Sequence, residues 1–210
     1  MRTALRLCLL IIGLSLCLPA SARPEQMDAV HWTTKYDRFF KKYTKRYFGP
    51  NFDWKWFKAQ AIAESGLKPL AASHMGAQGL MQILPSTYAE IREQNPHFTH
   101  IHEPRWNIAA GIYYNRYLYR YWAKIREEER LFYAFGSYNA GLGGVLRAYK
   151  KTGKKAKTWK QVAPYAPDET RKYVKRIRKL RNREEALQAV PKRLQLEMLS
   201  YETQSTNPAN

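Results

Sequence analysis

The chain has only two cysteines, Cys8 and Cys17, and both lie in its first 22 residues. That stretch carries Arg2 and Arg6, then an apolar core, and ends in Ala20-Ser21-Ala22, which is the pattern of a secretory signal peptide. The core is about a dozen residues long, whereas a membrane-spanning helix needs roughly 20. We therefore predict an exported protein of the periplasm or cell envelope, with no disulfide in its mature part.

Neither a lipid anchor nor a repeat is indicated. Leu16 precedes Cys17 where a small residue is expected, which disfavours lipidation of that cysteine. No repeat with a period of 20 to 50 residues is visible. Residues 23–210 suffice for one domain of ordinary size, which we expect to be a monomer held together by its core.

Acidic residues are scarce, because 17 Asp and Glu oppose 36 Lys and Arg and give a net charge of +19. This charge favours a polyanionic partner such as cell-wall polymer, an anionic envelope surface or external nucleic acid. The basic excess is largest over residues 145–181. No nucleic-acid-binding module is recognisable, so we expect no specific nucleic acid. A basic, non-catalytic polyanion-binding protein remains an alternative.

Metal-binding patterns are weak. His97, His100, His102 and Glu103 lie close together, but their spacing fits neither one helical face nor a familiar zinc loop. A surface loop explains the cluster better. We predict no metal, no haem, no nucleotide and no other cofactor.

Alternating strand patterns are absent and helical periodicity dominates, so we predict a mainly α fold. Helix start and stop signals predict six helices. The first spans Asp28–Phe48, and the second begins at a cap, Asn51 or Asp53, and ends at Gly66. The third begins at Pro85, the fourth at a cap at Asn107, the fifth spans 128–138 and the sixth begins at Pro167. The sequence "NAGLGGV" at 139–145 is expected to break the fifth helix. Residues 150–166 are expected to form a basic loop.

One carboxylate, that of Glu64, belongs to the apolar face of the second predicted helix. Glu64 follows Phe57 by seven residues and Ala61 by three, which places it within about 60° of both around the helix axis. Loss of water raises the pKa of such an acid and can keep it protonated near neutral pH. It can then act as a general acid and afterwards as a general base. The alternative is an ordinary glutamate that points into solvent at a helix end.

Five segments, in this order, carry a family resemblance over roughly residues 51–178: "ESG" at 64–66, "GAQGLMQILPST" at 76–87, "NIAAGIYYNRYL" at 107–118, "SYNAG" at 137–141 and "ETRKYV" at 169–174. Together they resemble the catalytic domain of soluble lytic transglycosylases, which share the lysozyme-like fold with goose-type lysozyme. The resemblance implies a single domain with a glycan-binding cleft. It divides the chain into a signal peptide (1–22), an N-terminal helical extension (23–50), the catalytic domain (51–182) and a C-terminal helix with a polar tail (183–210).

The resemblance also implies a reaction. The family cleaves the bond between N-acetylmuramic acid and N-acetylglucosamine in peptidoglycan strands without water, and leaves a 1,6-anhydromuramoyl product. Glu64 would protonate the departing oxygen and then take the proton of the muramoyl 6-hydroxyl. The substrate's own N-acetyl group is thought to stabilise the intermediate, so no partner carboxylate is required.

Further site residues follow by position. Ser65, Ser73, Gln82 and Tyr138 match family positions that line the cleft. Asn139 is expected to secure the turn after its helix, and Met81 to line the core or the cleft wall. Glu169 and Tyr173 stand four residues apart, so both could reach the same end of the cleft, although Glu169 also suits a helix N-terminus. Three glycines are expected to let the backbone pass close to a sugar or take a positive φ: Gly76, Gly79 and Gly141.

A hydrolytic lysozyme of the same fold is the nearest alternative. It needs a second carboxylate or a positioned water, and residues 65–87 contain neither Asp nor Glu. Acids elsewhere, such as Glu90, Glu103 or Glu169, could still fold inward. Reducing ends in the products would indicate a hydrolase, and anhydro ends a transglycosylase.

Overall fold

The computed structural model describes residues 32–189, so the predicted signal peptide and most of the polar tail lie outside the described residues. Over this range the chain forms one 3₁₀ helix, Ala163–Tyr165, and no β-strand. The α-helices of the described range are α1 Asp37–Phe48, α2 Lys55–Ser65, α3 Pro85–Gln94, α4 Pro104–Tyr121, α5 Glu127–Lys151, α6 Trp159–Val162 and α7 Asp168–Ala189. The predicted mainly α class is confirmed.

Helix α4 is central to the packing. It lies against α1 on one side and α5 on the other, while α7 packs against both α2 and α5. Aromatic rings fill the space between these helices: Phe57 of α2 lies 4.9 Å from Phe48 of α1 and 6.3 Å from Phe135 of α5, measured between ring centroids. The contact of α2 with α7 is the one that assembles the site described below. None of the helices described over 32–189 is long and apolar enough to cross a membrane.

Two predicted helices differ from the structure near their starts. Residues 32–36 are not helical, so the part of the helix predicted over Asp28–Phe48 that is described begins at Asp37, and Asp28 itself lies outside the described residues. Helix α4 begins at Pro104, whose fixed φ suits a first helical turn. Asn107, the predicted cap, is fully buried and bonds to a loop instead. The start of α2 is close to the prediction, because the Asp53 carboxylate accepts the backbone N–H of Lys55 at 3.0 Å.

The predicted break at 139–145 is confirmed at Gly141, which divides α5 into two helical segments. Its φ of 71° and ψ of 152° are not helical. Upstream, a Cβ at Gly136 would lie 2.5 Å from the ring of Trp159, so close packing explains why this position is a glycine. Trp159 begins α6, which is stabilised by a capping box between Thr158 and Gln161. The predicted basic loop over 150–166 is therefore confirmed for residues 152–158, and it is wrong for the helical residues Trp159–Val162 and Ala163–Tyr165.

A buried ion pair joins α1 to α2. Lys58 is 1% exposed, and its Nζ lies 2.7 Å from Oδ1 of Asp37. The ammonium also lies over the rings of Trp32 and Trp54, at 4.9 and 5.7 Å from their centroids. Burial lowers the pKa of Lys58, and the Asp37 carboxylate opposes this shift. The ammonium therefore depends on Asp37 for its stabilisation.

Replacement of Asp37 by asparagine is expected to lower the free energy of unfolding by about 2 kcal/mol, because Lys58 keeps a buried charge without its carboxylate. Urea denaturation at neutral pH measures this. A suitable control is Asp168→Asn, since that exposed carboxylate pairs with Arg171 and Lys172 at the surface. The control should leave the free energy of unfolding nearly unchanged, because the pair is exposed to solvent, and equal losses in the two variants would contradict the prediction.

Candidate active site

Glu64 lies in the last turn of α2. The helix ends at Gly66, which adopts a left-handed φ of 60° and donates its N–H to the carbonyl of Ile62. Phe57 and Ala61, on the same face, are fully buried. Glu64 itself is partly accessible, with protein packed around it. The carboxyl group is thus largely deprived of water but remains open to a ligand.

A chain of hydrogen bonds between side chains ends on this carboxyl group. Tyr173 of α7 donates its hydroxyl proton to Oε1 of Glu64 at 2.5 Å. The same hydroxyl oxygen accepts from Nε2 of Gln60 at 3.0 Å, and Oε1 of Gln60 accepts from Nδ2 of Asn115 at 2.8 Å. Asn115 also donates to the carbonyl of Gly111. Because Gln60 donates to the Tyr173 oxygen, the tyrosine's own proton is directed toward Glu64.

The surroundings of Glu64 raise the pKa of its carboxyl group from 4.5 to about 8, chiefly through burial. The Tyr173 hydrogen bond and the positive charge of Arg176 oppose this rise, while the negative charge of Glu169 adds to it. Arg176 is held next to α2 by a hydrogen bond to the carbonyl of Ala63. At neutral pH the carboxyl group is mostly protonated, so it can donate a proton.

The loop between α2 and α3 forms one wall beside Glu64. Gln78 and Ile83 exchange two backbone hydrogen bonds, which close the loop into a narrow turn. The buried side chain of Asn107 accepts from the N–H of Met81 at 2.7 Å and donates to the carbonyls of Gln78 and Ile101. Helix α4 therefore holds the loop in place through one amide.

Replacement of Gly79 by alanine is expected to lower the free energy of unfolding by about 3 kcal/mol. Its Cβ would lie 2.3 Å from Nδ2 of Asn107, and its φ of 78° is unfavourable for any other residue. Gly76→Ala is the matched control, because Gly76 has a similar φ of 82° but no atom within 4 Å of the added Cβ. The control should cost about 1 kcal/mol. Denaturant unfolding of both variants measures the difference, and equal costs would exclude a role for the Asn107 contact.

Three of the residues matched to the cleft bind the loop backbone. Ser65 donates to the carbonyl of Leu80 at 2.8 Å. Ser73 accepts the N–H of Ala77 at 3.0 Å. Gln82, which has a left-handed φ of 47°, donates from its amide nitrogen to the carbonyls of Ala71 and Gly79. These side chains shape the wall, and their contacts with sugar stay predictions.

Tyr138 connects the loop to α5. Its hydroxyl donates to the carbonyl of Met81 at 2.8 Å, and the Met81 side chain is fully buried against Gly111. The negative charge of Glu64 contributes to raising the pKa of both Tyr138 and Tyr173. Glu64, Tyr138 and Tyr173 therefore surround one point, although they come from three helices.

The remaining predicted residues lie around this point. Asn139 accepts the hydroxyl proton of Thr170 at 2.7 Å and so joins α5 to α7. Glu169 is exposed, one helical turn before Tyr173, and acts on Glu64 through its charge. Gly76, Gly79 and Gly141 all have positive φ. The substrate contacts predicted for Asn139 and Glu169 stay predictions.

Sequence reasoning missed three residues of the site: Gln60, Asn115 and Arg176. Gln60 stands one helical turn before Glu64, and Asn115 interrupts an apolar stripe of α4 one turn after Gly111. A polar residue on a buried face needs a partner, and that signal could have identified both. The histidine cluster is structural in part, since His97 packs edge-on against Phe98 and Trp106. Over residues 32–189 no group of three or more potential ligands could hold a metal ion.

Comparison with known sequences gives two results. The model of the transglycosylase SLT domain family matches residues 39–161. A membrane-bound lytic murein transglycosylase F from Shewanella pealeana is 32% identical over 149 residues, and the match covers 69% of this chain and 29% of that protein. The chain thus spans less than a third of that relative's length.

Comparison with solved structures agrees. The 70 kDa soluble lytic transglycosylase of Escherichia coli matches with a TM-score of 0.59 and 27% identity, over 70% of this chain and 23% of that one. A complex of the 70-kDa soluble lytic transglycosylase with bulgecin A matches with a TM-score of 0.63 and 25% identity, over 74% and 25%. The expected lysozyme-like fold is confirmed.

Proposed function

Because the chain belongs to the transglycosylase SLT domain family, we propose that it is an exported lytic transglycosylase of peptidoglycan. It cleaves the β-1,4 bond between N-acetylmuramic acid and N-acetylglucosamine, with Glu64 as the only general acid and base. The observation that carries this proposal is the carboxyl group of Glu64, which is partly accessible, has a pKa of about 8 and accepts the Tyr173 hydroxyl proton.

The first half of the reaction uses the proton on Glu64. It passes to the glycosidic oxygen as the bond from that oxygen to C1 of the muramoyl residue breaks. The electron deficiency at C1 is met by the N-acetyl oxygen of the same sugar. Glu64 is left as a carboxylate, which the Tyr173 hydroxyl stabilises by donating to Oε1.

The second half returns the proton. The Glu64 carboxylate accepts the proton of the muramoyl 6-hydroxyl while O6 attacks C1 and displaces the N-acetyl oxygen. The 1,6-anhydro ring closes, Glu64 is protonated again, and no water is consumed. The attack is favourable because the hydroxyl belongs to the sugar that it attacks, and effective molarities of such internal nucleophiles reach about 10⁵ M.

A hydrolytic reaction is the second candidate, and the position of Glu169 supports it. This is the acid whose charge acts on Glu64, and its exposed carboxylate could activate a water for attack on C1. In the transglycosylase reaction Glu169 has a simpler part, which is to help keep Glu64 protonated. The two candidates predict different products.

Digestion of purified sacculi by the wild-type protein, followed by mass analysis of the muropeptides, distinguishes these candidates. Anhydromuropeptides support the transglycosylase. Reducing ends without anhydro products support the hydrolase. If no product forms over a range of pH values, the protein is instead a basic, non-catalytic binder of polyanions.

The proposal extends to the surroundings of the enzyme. Exposed cations cover the end of α5, the segment after it and α7, and include Arg147, Lys150, Lys154 and Lys172. This surface would attract the monomeric protein to the anionic cell envelope. If so, the affinity of the protein for sacculi should fall steeply as the salt concentration rises. DNA at the same ionic strength should compete with sacculi for the protein only through its charge, without sequence preference.

A further inference from the structure

A groove lies on the outer face of α4, where α1 crosses it. Its volume is about 600 Å³, which is within the range of ordinary ligand sites. Three arginines and four tyrosines line it: Arg46 and Tyr47 from α1, and Tyr113, Arg116, Tyr117, Arg120 and Tyr121 from α4. None of these side chains is acidic, so the groove concentrates positive charge.

The three arginines are available to an anion. Among residues 32–189, no ion pair involves Arg46, Arg116 or Arg120. Arg46 and Arg120 are exposed, and Arg116 is half-buried, with its guanidinium 5.3 Å from the ring centroid of Phe48. Aromatic packing therefore orients Arg116 without neutralising its charge.

A row of tyrosine rings connects the groove to the active site. Tyr117, in the groove, stacks on Tyr114 with 6.1 Å between ring centroids and 10° between ring planes. Tyr114 lies 5.5 Å from Tyr138. Tyr138 in turn donates to the carbonyl of Met81 beside Glu64. The groove therefore lies two ring contacts from Tyr138 in the active site.

We propose that this groove binds the carboxylates of peptide stems on the glycan strand whose bond is cleaved at Glu64. The inference rests on the proposed function, because it takes the ligand to be part of the same substrate. The sugar backbone of the strand is uncharged at these positions, whereas the stems carry free carboxylates. Guanidinium groups bind carboxylates through paired hydrogen bonds, and tyrosines add apolar faces with polar ends. The groove thereby favours strands that still carry their peptides.

Arg46→Gln/Arg120→Gln tests this with little risk to folding, because both side chains are exposed. Cleavage is measured on soluble peptide-bearing strands and on strands from which an amidase has removed the peptides. The KM for peptide-bearing strands is expected to rise about 3- to 10-fold, with kcat unchanged. The KM for bare strands should not change. The control Arg38→Gln/Lys124→Gln removes the same charge at exposed positions outside the groove and should resemble the wild type on both substrates.

Three outcomes overturn the inference: an unchanged KM for peptide-bearing strands, an equal rise for both substrates, or the same rise in the control. The proposed function fails separately, if the wild type releases no anhydro product from either substrate. In that case Glu64→Gln protein is titrated with a disaccharide tetrapeptide and with the bare disaccharide, and NMR signals of the groove tyrosines are followed. Shifts with the peptide form alone support the groove, and no shifts with either overturn it.

Discussion

Glu64→Gln is expected to reduce the release of anhydromuropeptides from sacculi by about 10³-fold or more, which lies within the range for loss of a general acid and base. Glutamine keeps the size of the side chain and can still accept the Tyr173 hydroxyl proton. It cannot give a proton to the glycosidic oxygen or take one from the 6-hydroxyl. Initial rates on purified sacculi, with products counted by mass, measure the loss.

The same variant should still bind peptidoglycan. We expect the substrate contacts to come from the walls of the cleft, which glutamine does not disturb, so pull-down of Glu64→Gln protein by sacculi should match the wild type. Glu90→Gln, at an exposed position of α3, is the control for loss of a carboxylate and should keep full activity. Activity above a tenth of the wild-type rate in Glu64→Gln would rule out its role as the only acid and base.

Stability gives an independent check on this variant. The pKa of Glu64 is about 8 in the folded protein against 4.5 in the ordinary carboxyl group, so between these pH values the folded state holds a proton that the unfolded state has lost. The contribution of Glu64 to the free energy of unfolding therefore falls as pH rises from about 4.5 to about 8. Glutamine does not titrate. Glu64→Gln protein should be at least as stable as the wild type at pH 7. If its Tm at pH 7 is lower than that of the wild type, unfolding would explain the lost activity.

The sequence predicted the position of Glu64 well because that position depends on local rules. The spacing to Phe57 and Ala61 fixes the face of the helix, and Gly66 fixes its end. The beginning of α3 at Pro85 likewise depends on one residue with a fixed φ. These features need no knowledge of distant parts of the chain.

The hydrogen bonds around Glu64 could not be predicted in the same way. Gln60 and Tyr173 are 113 residues apart in sequence, and their meeting depends on how α2 packs against α7. Asn107 shows the same limitation. Its type and position favour a helix cap. The side chain is instead fully buried and makes three hydrogen bonds to backbone groups outside its helix, so it holds the loop beside Glu64 in place. Tertiary packing overrides local preference at such positions.

The resemblance identified residues without giving their contacts. Ser65, Ser73 and Gln82 were expected in the cleft, and the structure places their hydrogen bonds on the loop backbone. The basic segment 150–166 shows a different limitation. Its charge suggested a loop, while its helix depends on Trp159 packing against Gly136 of α5. A glycine inside one helix and a tryptophan beyond the next turn can be paired only when both are seen in space.

Tyr173→Phe is expected to lower kcat by about 10- to 100-fold and to shift the pH dependence of kcat/KM. The hydroxyl stabilises the charged form of Glu64, and a hydrogen bond to a charged group is worth about 1.5–3 kcal/mol. Without it the carboxyl group is a weaker acid, so proton transfer to the glycosidic oxygen becomes slower. The phenylalanine ring preserves the packing of α7 on α2, and the change is confined to one oxygen.

The direction of the pH shift distinguishes this role from a structural one. The proposed reaction requires a protonated Glu64 in the free enzyme, so we expect kcat/KM to be constant at low pH and to fall as pH rises through the pKa of about 8. Loss of the Tyr173 hydroxyl raises that pKa, so the fall should occur about one pH unit higher. Tyr138→Phe is the matched control, because its hydroxyl donates to the carbonyl of Met81 and not to Glu64. Rates on soluble glycan strands between pH 5 and 10 measure both variants, and a fall at the wild-type pH or lower in Tyr173→Phe would contradict the assigned role.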